Sequence, residues 1–342
     1  MLELYFGNFA RPALLIGCSE LVADARSVVV GWNVASRPVT GAERHPDPMV
    51  VLESTADGYS VASAEKQLVG QSKVEAISAI MWHLVRELYC QRGDTIPLHC
   101  GSFSLNGHLI GISGPSGMGK STFSARMCAE PDCLVFGDDI LLARTDGTAS
   151  GVGVLPRLRP PLPPNASPLF RSFVAASSAP KDDRYQYISC ADFAPFDTTG
   201  HMSAFVILSR RPEIAEPYFV KLAPAQMFME WIGASIALNA SDFGAHLERL
   251  EALANRVPCY RLVYSDLEAA VALVRKSSVP KSAFSPQLLA EPETAAIGRA
   301  ESWACDPDLR IKTAFGSLFL YRSQGGEVVQ INETASVLLE MA

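Results

Sequence analysis

Apolar positions in this chain come mostly in short bursts set off by turn residues, with helical spacing in fewer places. Residues 28–32, 49–53 and 59–62 read as strands, with turns at 46–48 and at Asp57-Gly58. From 74 to 90, Ile77, Ile80, Met81, Leu84, Val85 and Leu88 recur on one helical face, which predicts an amphipathic helix with Trp82 and His83 as packing residues. Residues 96–112 hold two β runs joined through Asn106-Gly107, a strong hairpin signal, and the first run carries His99. Residues 109–112 read as a buried strand and 121–129 as a helix. Residues 133–137 form a further short strand ending in Asp138-Asp139, and 140–143 another.

Between 155 and 180, Pro156, Pro160, Pro161, Pro163, Pro164, Pro168 and Pro180 argue against regular structure and predict an ordered or closing loop carrying Arg157, Arg159 and Arg171. Residues 181–187 set charges against tyrosines. Residues 203–208 and 218–222 are expected to pair as strands, 223–238 and 243–254 to be helices, and 259–264 a strand. A last helix over 266–276 would be capped by Ser265 or Asp266. Residues 277–309 read as a linker, 315–321 and 325–331 as a hairpin, and 332–340 as the opening of a helix.

Composition narrows the class. The 342 residues leave room for about two domains, and 48% hydrophobic with 19% charged residues describes a soluble globular protein. A net charge of −7 gives no basic footprint for nucleic acid. Eight cysteines without a CxxC pair read as reduced, mostly buried thiols, which points to the cytoplasm. Glu3 interrupts the apolar N-terminus, which has no basic leading region, and no apolar run is long enough for a membrane span.

The chemistry concentrates in Gly114-Pro115-Ser116-Gly117-Met118-Gly119-Lys120-Ser121-Thr122, a P-loop between a predicted strand and a predicted helix. Glycines let backbone N–H groups turn around an anion and deliver phosphates to a helix N-terminus. Lys120 would reach the β- and γ-phosphates and Ser121 would ligate Mg²⁺. Only 18 positions, 138 minus 120, separate Lys120 from Asp138. The strand beside the P-loop strand is therefore expected to present the acidic pair, where a Walker-B-type metal partner belongs.

Taken together, Leu98-His99-Cys100-Gly101, the P-loop, Phe136-Gly137-Asp138-Asp139 and Asp182-Asp183-Arg184-Tyr185 resemble the HPr kinase-like family of P-loop serine kinases over roughly residues 74–276. The sequence is most similar to a divergent HPr-kinase-related branch found beside peptide-modifying genes, and residues 258–266 are similar to its closing strand and turn. The resemblance implies an α/β fold with an HPr kinase/PEP-carboxykinase-like P-loop core (74–276) behind a small β-rich N-terminal region (1–73). It implies ATP and Mg²⁺ as cofactors, held by the P-loop residues 114–122, with Ser121 and Asp139 on the metal. Asp138 is then the base, assisted by Asp139, Lys120, His99 and Arg184. The Glu-Arg-Gly-Leu-Gly signature of the bifunctional kinase/phosphorylases is missing, so the resemblance does not extend to phosphorolysis or to the phosphocarrier substrate.

Residues 326–339, within a segment 310–342 after the linker, resemble the opening of a PqqD-like leader-peptide-binding domain. That implies as partner a peptide or small protein, such as a lasso-type ribosomal precursor, and the family resemblance leaves a homo-oligomer open. A kinase for small-molecule hydroxyls and a nucleotide-gated peptide binder without phosphotransfer remain alternative readings.

Overall fold

The computed structural model describes residues 1–64, 66–236, 243–279, 283–289, 309–322 and 328–331 of a mixed α/β chain. Its first part is β1 (Leu2–Phe6), β2 (Ala13–Ile16), α1 (Leu21–Ser27), β3 (Val34–Pro38), β4 (Val50–Thr55), β5 (Gly58–Ala62) and β6 (Gln67–Gln71). These six strands make one sheet in the order β3-β1-β2-β4-β5-β6. The predicted strand at 28–32 does not form: Gly31 turns to φ 80°, and Trp32 leaves the chain direction to stack on Phe196 at 3.8 Å.

α2 (Lys73–Gln91) starts at a capping box, with the Ser72 hydroxyl accepting from the Glu75 N–H and the Glu75 carboxylate accepting from the Ser72 N–H. It buries the predicted stripe of Ile77, Ile80, Met81, Leu84, Val85 and Leu88. One continuous core runs from Leu4 and Phe6 through Ile77 and Ile80 to Phe103, Ile110 and Phe123, so the first sheet and the P-loop region bury each other.

The larger sheet is assembled from β7 (Ile96–His99), β8 (Gly101–Leu105), β9 (His108–Ser113), β10 (Cys133–Gly137), β11 (Ile140–Ala143), β12 (Thr148–Gly151), β15 (Thr199–Arg210), β16 (Tyr218–Lys221) and β17 (Cys259–Tyr264). A small ribbon of β13 (Arg157–Leu158) and β14 (Gln186–Tyr187) lies apart from it. Asn106 and Gly107 take positive φ (54° and 86°) in the tight turn between β8 and β9, as the sequence demands. The parallel strands β9, β15 and β17 lie side by side.

Two pairings differ from expectation. β16 pairs with β17 rather than β15. β10 is not beside the P-loop strand, because β8 lies between β10 and β9. A tight hairpin turn forces β8 against β9 and takes that neighbouring slot.

The helices of this part are α3 (Lys120–Met127), α4 (Pro168–Ala176), α5 (Pro224–Ala234), α6 (Phe243–Ala254) and α7 (Leu267–Ser277). α4 arises inside the proline-rich stretch because Pro168 falls in its first turn, where a missing N–H costs nothing, and Ser167 caps it. Asp266 caps α7, its carboxylate accepting from the Ala269 N–H at 2.8 Å. Arg126 on α3 is 5% exposed and bonds Glu268 of α7 at 2.8 Å and Glu130 at 2.5 Å. Removing a buried ion-pair member strands the remaining charges, so Arg126→Ala is expected to cost about 3 kcal/mol. A urea midpoint matching the parent would refute this.

β18 (Leu309–Ala314), β19 (Ser317–Arg322) and β20 (Val329–Ile331) form an antiparallel sheet. Phe315, expected inside a strand, instead turns with Gly316 at positive φ. Phe319 is fully buried against Phe228 of α5 at 5.1 Å, and Lys312 pairs with Glu251 of α6 at 2.7 Å, so this sheet rests on α5 and α6. The helix expected over 332–340, most of the 277–309 linker, and Cys305 lie outside the described residues. The seven described cysteines are free thiols, five of them buried. Among the described residues no helix is long and apolar enough to cross a membrane.

Candidate functional site

The P-loop leaves β9 at Gly114 and enters α3 at Lys120. Gly114, Gly117 and Gly119 all take positive φ (142°, 85° and 93°), which lets the loop curl. Gly114 is additionally fixed by space, since a Cβ there would lie 2.8 Å from the Leu208 carbonyl oxygen of β15. Gly119 caps α3 without a side-chain acceptor, so the opening N–H groups of the helix are not claimed by a capping side chain. The Lys120 ammonium donates to the Gly114 carbonyl at 2.7 Å, and the Tyr264 hydroxyl, at the end of β17, braces the loop by donating to the Met118 carbonyl at 2.7 Å.

The acidic pair is positioned by a bend. Segments 96–105 and 133–143 pair antiparallel along their length, β10 with β8 and then β11 with β7. A one-residue bulge at Phe136 resets the register. The register from Gly137↔Ser102 to Ile140↔His99 sets Asp138 opposite Gly101 and Asp139 opposite Cys100. Gly101 also lies in register with Ile112 of the P-loop strand, and a Cβ on it would lie 2.1 Å from the Ser124 hydroxyl of α3. The missing side chain thus lets the P-loop helix settle close to the carboxylates. Gly101→Ala is expected to lower stability by about 1–3 kcal/mol, within the range for overpacking, read as a drop in melting temperature.

The two carboxylates are electrostatically unlike. Asp138 is 6% exposed. Burial, then the neighbouring Asp139 charge, pushes its carboxyl up to about 7, against the backbone N–H of Arg157, which donates to it at 3.1 Å, and the weaker opposing influence of the Ser121 hydroxyl. Asp139 is exposed; His99 at 3.3 Å and, more weakly, Arg157 and Lys120 hold its carboxyl below the usual range. In this way one carboxylate can take a proton near neutrality while the other stays charged.

The raised value also has a sign for stability. The folded protein holds the Asp138 proton more tightly than the unfolded chain, so this group's contribution is greatest below about pH 4 and is lost as pH climbs toward 7. In metal-free protein, Asp138→Asn should therefore raise the melting temperature relative to the parent above pH 7, with the gain shrinking toward pH 4. The slope is at most about 1.4 kcal/mol per pH unit. A pH-independent difference in thermal scans would contradict it.

Asp138 and Asp139 line a cavity of about 320 Å³ together with residues of β5, β6 and α2 and with Ile140, Val154, Leu155, Arg157 and Tyr187. Arg157 reaches it from β13: its guanidinium donates to Ser78 of α2 at 2.7 Å and lies 4.7 Å from the centre of the Tyr185 ring. The buried Tyr187 hydroxyl meets Ser78 at 2.9 Å, and burial pushes it up to about 12, so it stays protonated.

The structure therefore brings together the P-loop residues 114–122, His99, Asp138 and Asp139. It does not bring Arg184 to them. That side chain is exposed and pairs with Glu75 at 3.0 Å, at the start of α2. Asp182 is likewise structural. Burial would raise its carboxyl, but the influence of the Ser72 hydroxyl and of the N–H groups of Val74, Arg184 and Tyr185, which donate to it, outweighs this and holds it low. Trp82, read as packing, is 41% exposed and lines the cavity. Ser78 and Tyr187 carried no local signal, since their meeting joins residues 109 apart in sequence. No protein-family model and no curated protein matches the sequence.

Proposed function

We propose that this protein is an ATP- and Mg²⁺-dependent kinase of the HPr kinase-like type that transfers the γ-phosphate to a serine hydroxyl of a peptide or small protein. One observation carries the reading: Asp138 lies within the influence of the Ser121 hydroxyl of the P-loop and also lines the cavity. A group that reaches both a phosphate-binding loop and a pocket for a second reactant is what phosphoryl transfer requires.

The residues suit their assigned partners. The Ser121 hydroxyl and the Asp139 carboxylate are hard oxygen donors, and Mg²⁺ uses one or two carboxylates together with phosphate oxygens. When bound there, the ion supplies positive charge against that of the phosphates. The loop N–H groups and Lys120 would hold the phosphates in line, and Asp138, with its raised affinity for a proton, would accept the proton of the attacking hydroxyl. Asp139, kept ionised by His99, would support the metal.

Intact-mass spectrometry of ATP/Mg²⁺ reactions with candidate precursor peptides tests the reading, with Lys120→Ala as control. Gain of one phosphate, lost in the control, is the expected result. Nucleotide binding without any mass gain would favour a nucleotide-gated binder, and transfer confined to free alcohols a small-molecule kinase.

A further inference from the structure

The cavity has a wall that phosphate chemistry does not need. Val61 of β5 and Leu68 of β6 are register partners and both line it, as does the half-exposed Trp82 of α2. β6 is the last strand of its sheet among the described residues, and it carries exposed Leu68 and Val69. An open apolar edge is a liability that folded proteins usually cover. Here the edge is short: Gly70 at φ 65° breaks the register against β5, and the Gln71 amide donates to the Val69 carbonyl at 3.1 Å. The open stretch is centred on Leu68, which lines the same cavity as Asp138 and Asp139.

A strand laid along this edge would continue the sheet, and every second side chain would point to the face that carries Leu68. About 320 Å³ accommodates one bulky side chain and a small hydroxyl residue, whereas a helix, about 10 Å across, does not fit such a space. We infer that the acceptor is an extended peptide segment that docks along β6, with an apolar side chain against Leu68 and Trp82 and, two residues away on the same face, the hydroxyl residue beside Asp138 and Asp139. The identity of the hydroxyl residue as acceptor rests on the kinase reading; the docking does not.

The test uses the full chain and fluorescent Gly/Lys-based peptides with one serine and one variable residue, Gly, Asp, Leu or Phe, either adjacent to the serine or two positions away. Anisotropy is expected to give about tenfold tighter binding for Leu or Phe at the two-residue spacing, roughly the value of one buried apolar side chain, and no gain when adjacent. Trp82→Ala and Leu68→Ser should each erase that gain and raise KM with kcat within about twofold, and Trp82→Phe should restore it; the factor is the same tenfold. Binding indifferent to residue and spacing, or variants that keep the preference, would overturn the docking. Selective binding without phosphate gain would instead remove the kinase reading and leave the docking intact. Transfer to peptides with no apolar preference would do the reverse.

Discussion

Asp138→Asn is expected to slow phosphoryl transfer by about a thousandfold, within the span typical of a lost general base, while ATP affinity stays within about twofold of the parent. The asymmetry follows from the surroundings of Asp138. Its carboxylate is buried, accepts from the Arg157 N–H at 3.1 Å and lines the cavity, whereas the groups proposed to hold phosphate sit on the loop and on Lys120. An amide keeps the size and an accepting oxygen but cannot take a proton. Asp139, bonded to His99, should not substitute, because a carboxylate held strongly ionised is a poor proton acceptor near neutrality. Initial rates by intact mass and ATP titration by calorimetry check both halves. Unchanged turnover would sink the base assignment, and a matching loss of ATP affinity would move Asp138 into the nucleotide site.

What could be read in advance was what is encoded locally. The Asn106-Gly107 turn, the Asp266 cap, the stripe on α2 and the glycine spacing of the P-loop each act over a few residues, and each took the expected form. The failures share the opposite property. β16 could choose β15 or β17, and nothing in its residues distinguishes the two edges. Pro168 read as a breaker because a proline's meaning depends on whether it opens a helix or interrupts one. Arg184 matched a motif, but the α2 capping box placed Glu75 within its reach, and the nearer charge won. The cavity was invisible for a similar reason, since it exists only where β6, α2 and the bend at Asp138 converge.

Lys120→Ala is expected to remove transfer nearly completely, by about a thousandfold, comparable with losing a donor aimed at developing charge, and to weaken ATP binding as well. Here the two losses should travel together, unlike those at Asp138, because in the proposed mechanism the lysine would meet the phosphates in both the ground and transition states. Its ammonium donates to the Gly114 carbonyl, and among the described residues it forms no ion pair. Exchanging that bond for one to a phosphate therefore breaks no salt bridge, and the fold should tolerate the loss of a half-buried side chain on the first turn of α3. Lys120→Arg should rescue poorly, because a planar fork cannot occupy the space of a compact point charge inside a tight loop. Parallel measurement of kcat, ATP affinity and melting temperature separates these claims. Transfer lost with ATP affinity intact would make Lys120 specific to the transition state, and a collapse in melting temperature would make its contact with Gly114 a structural one.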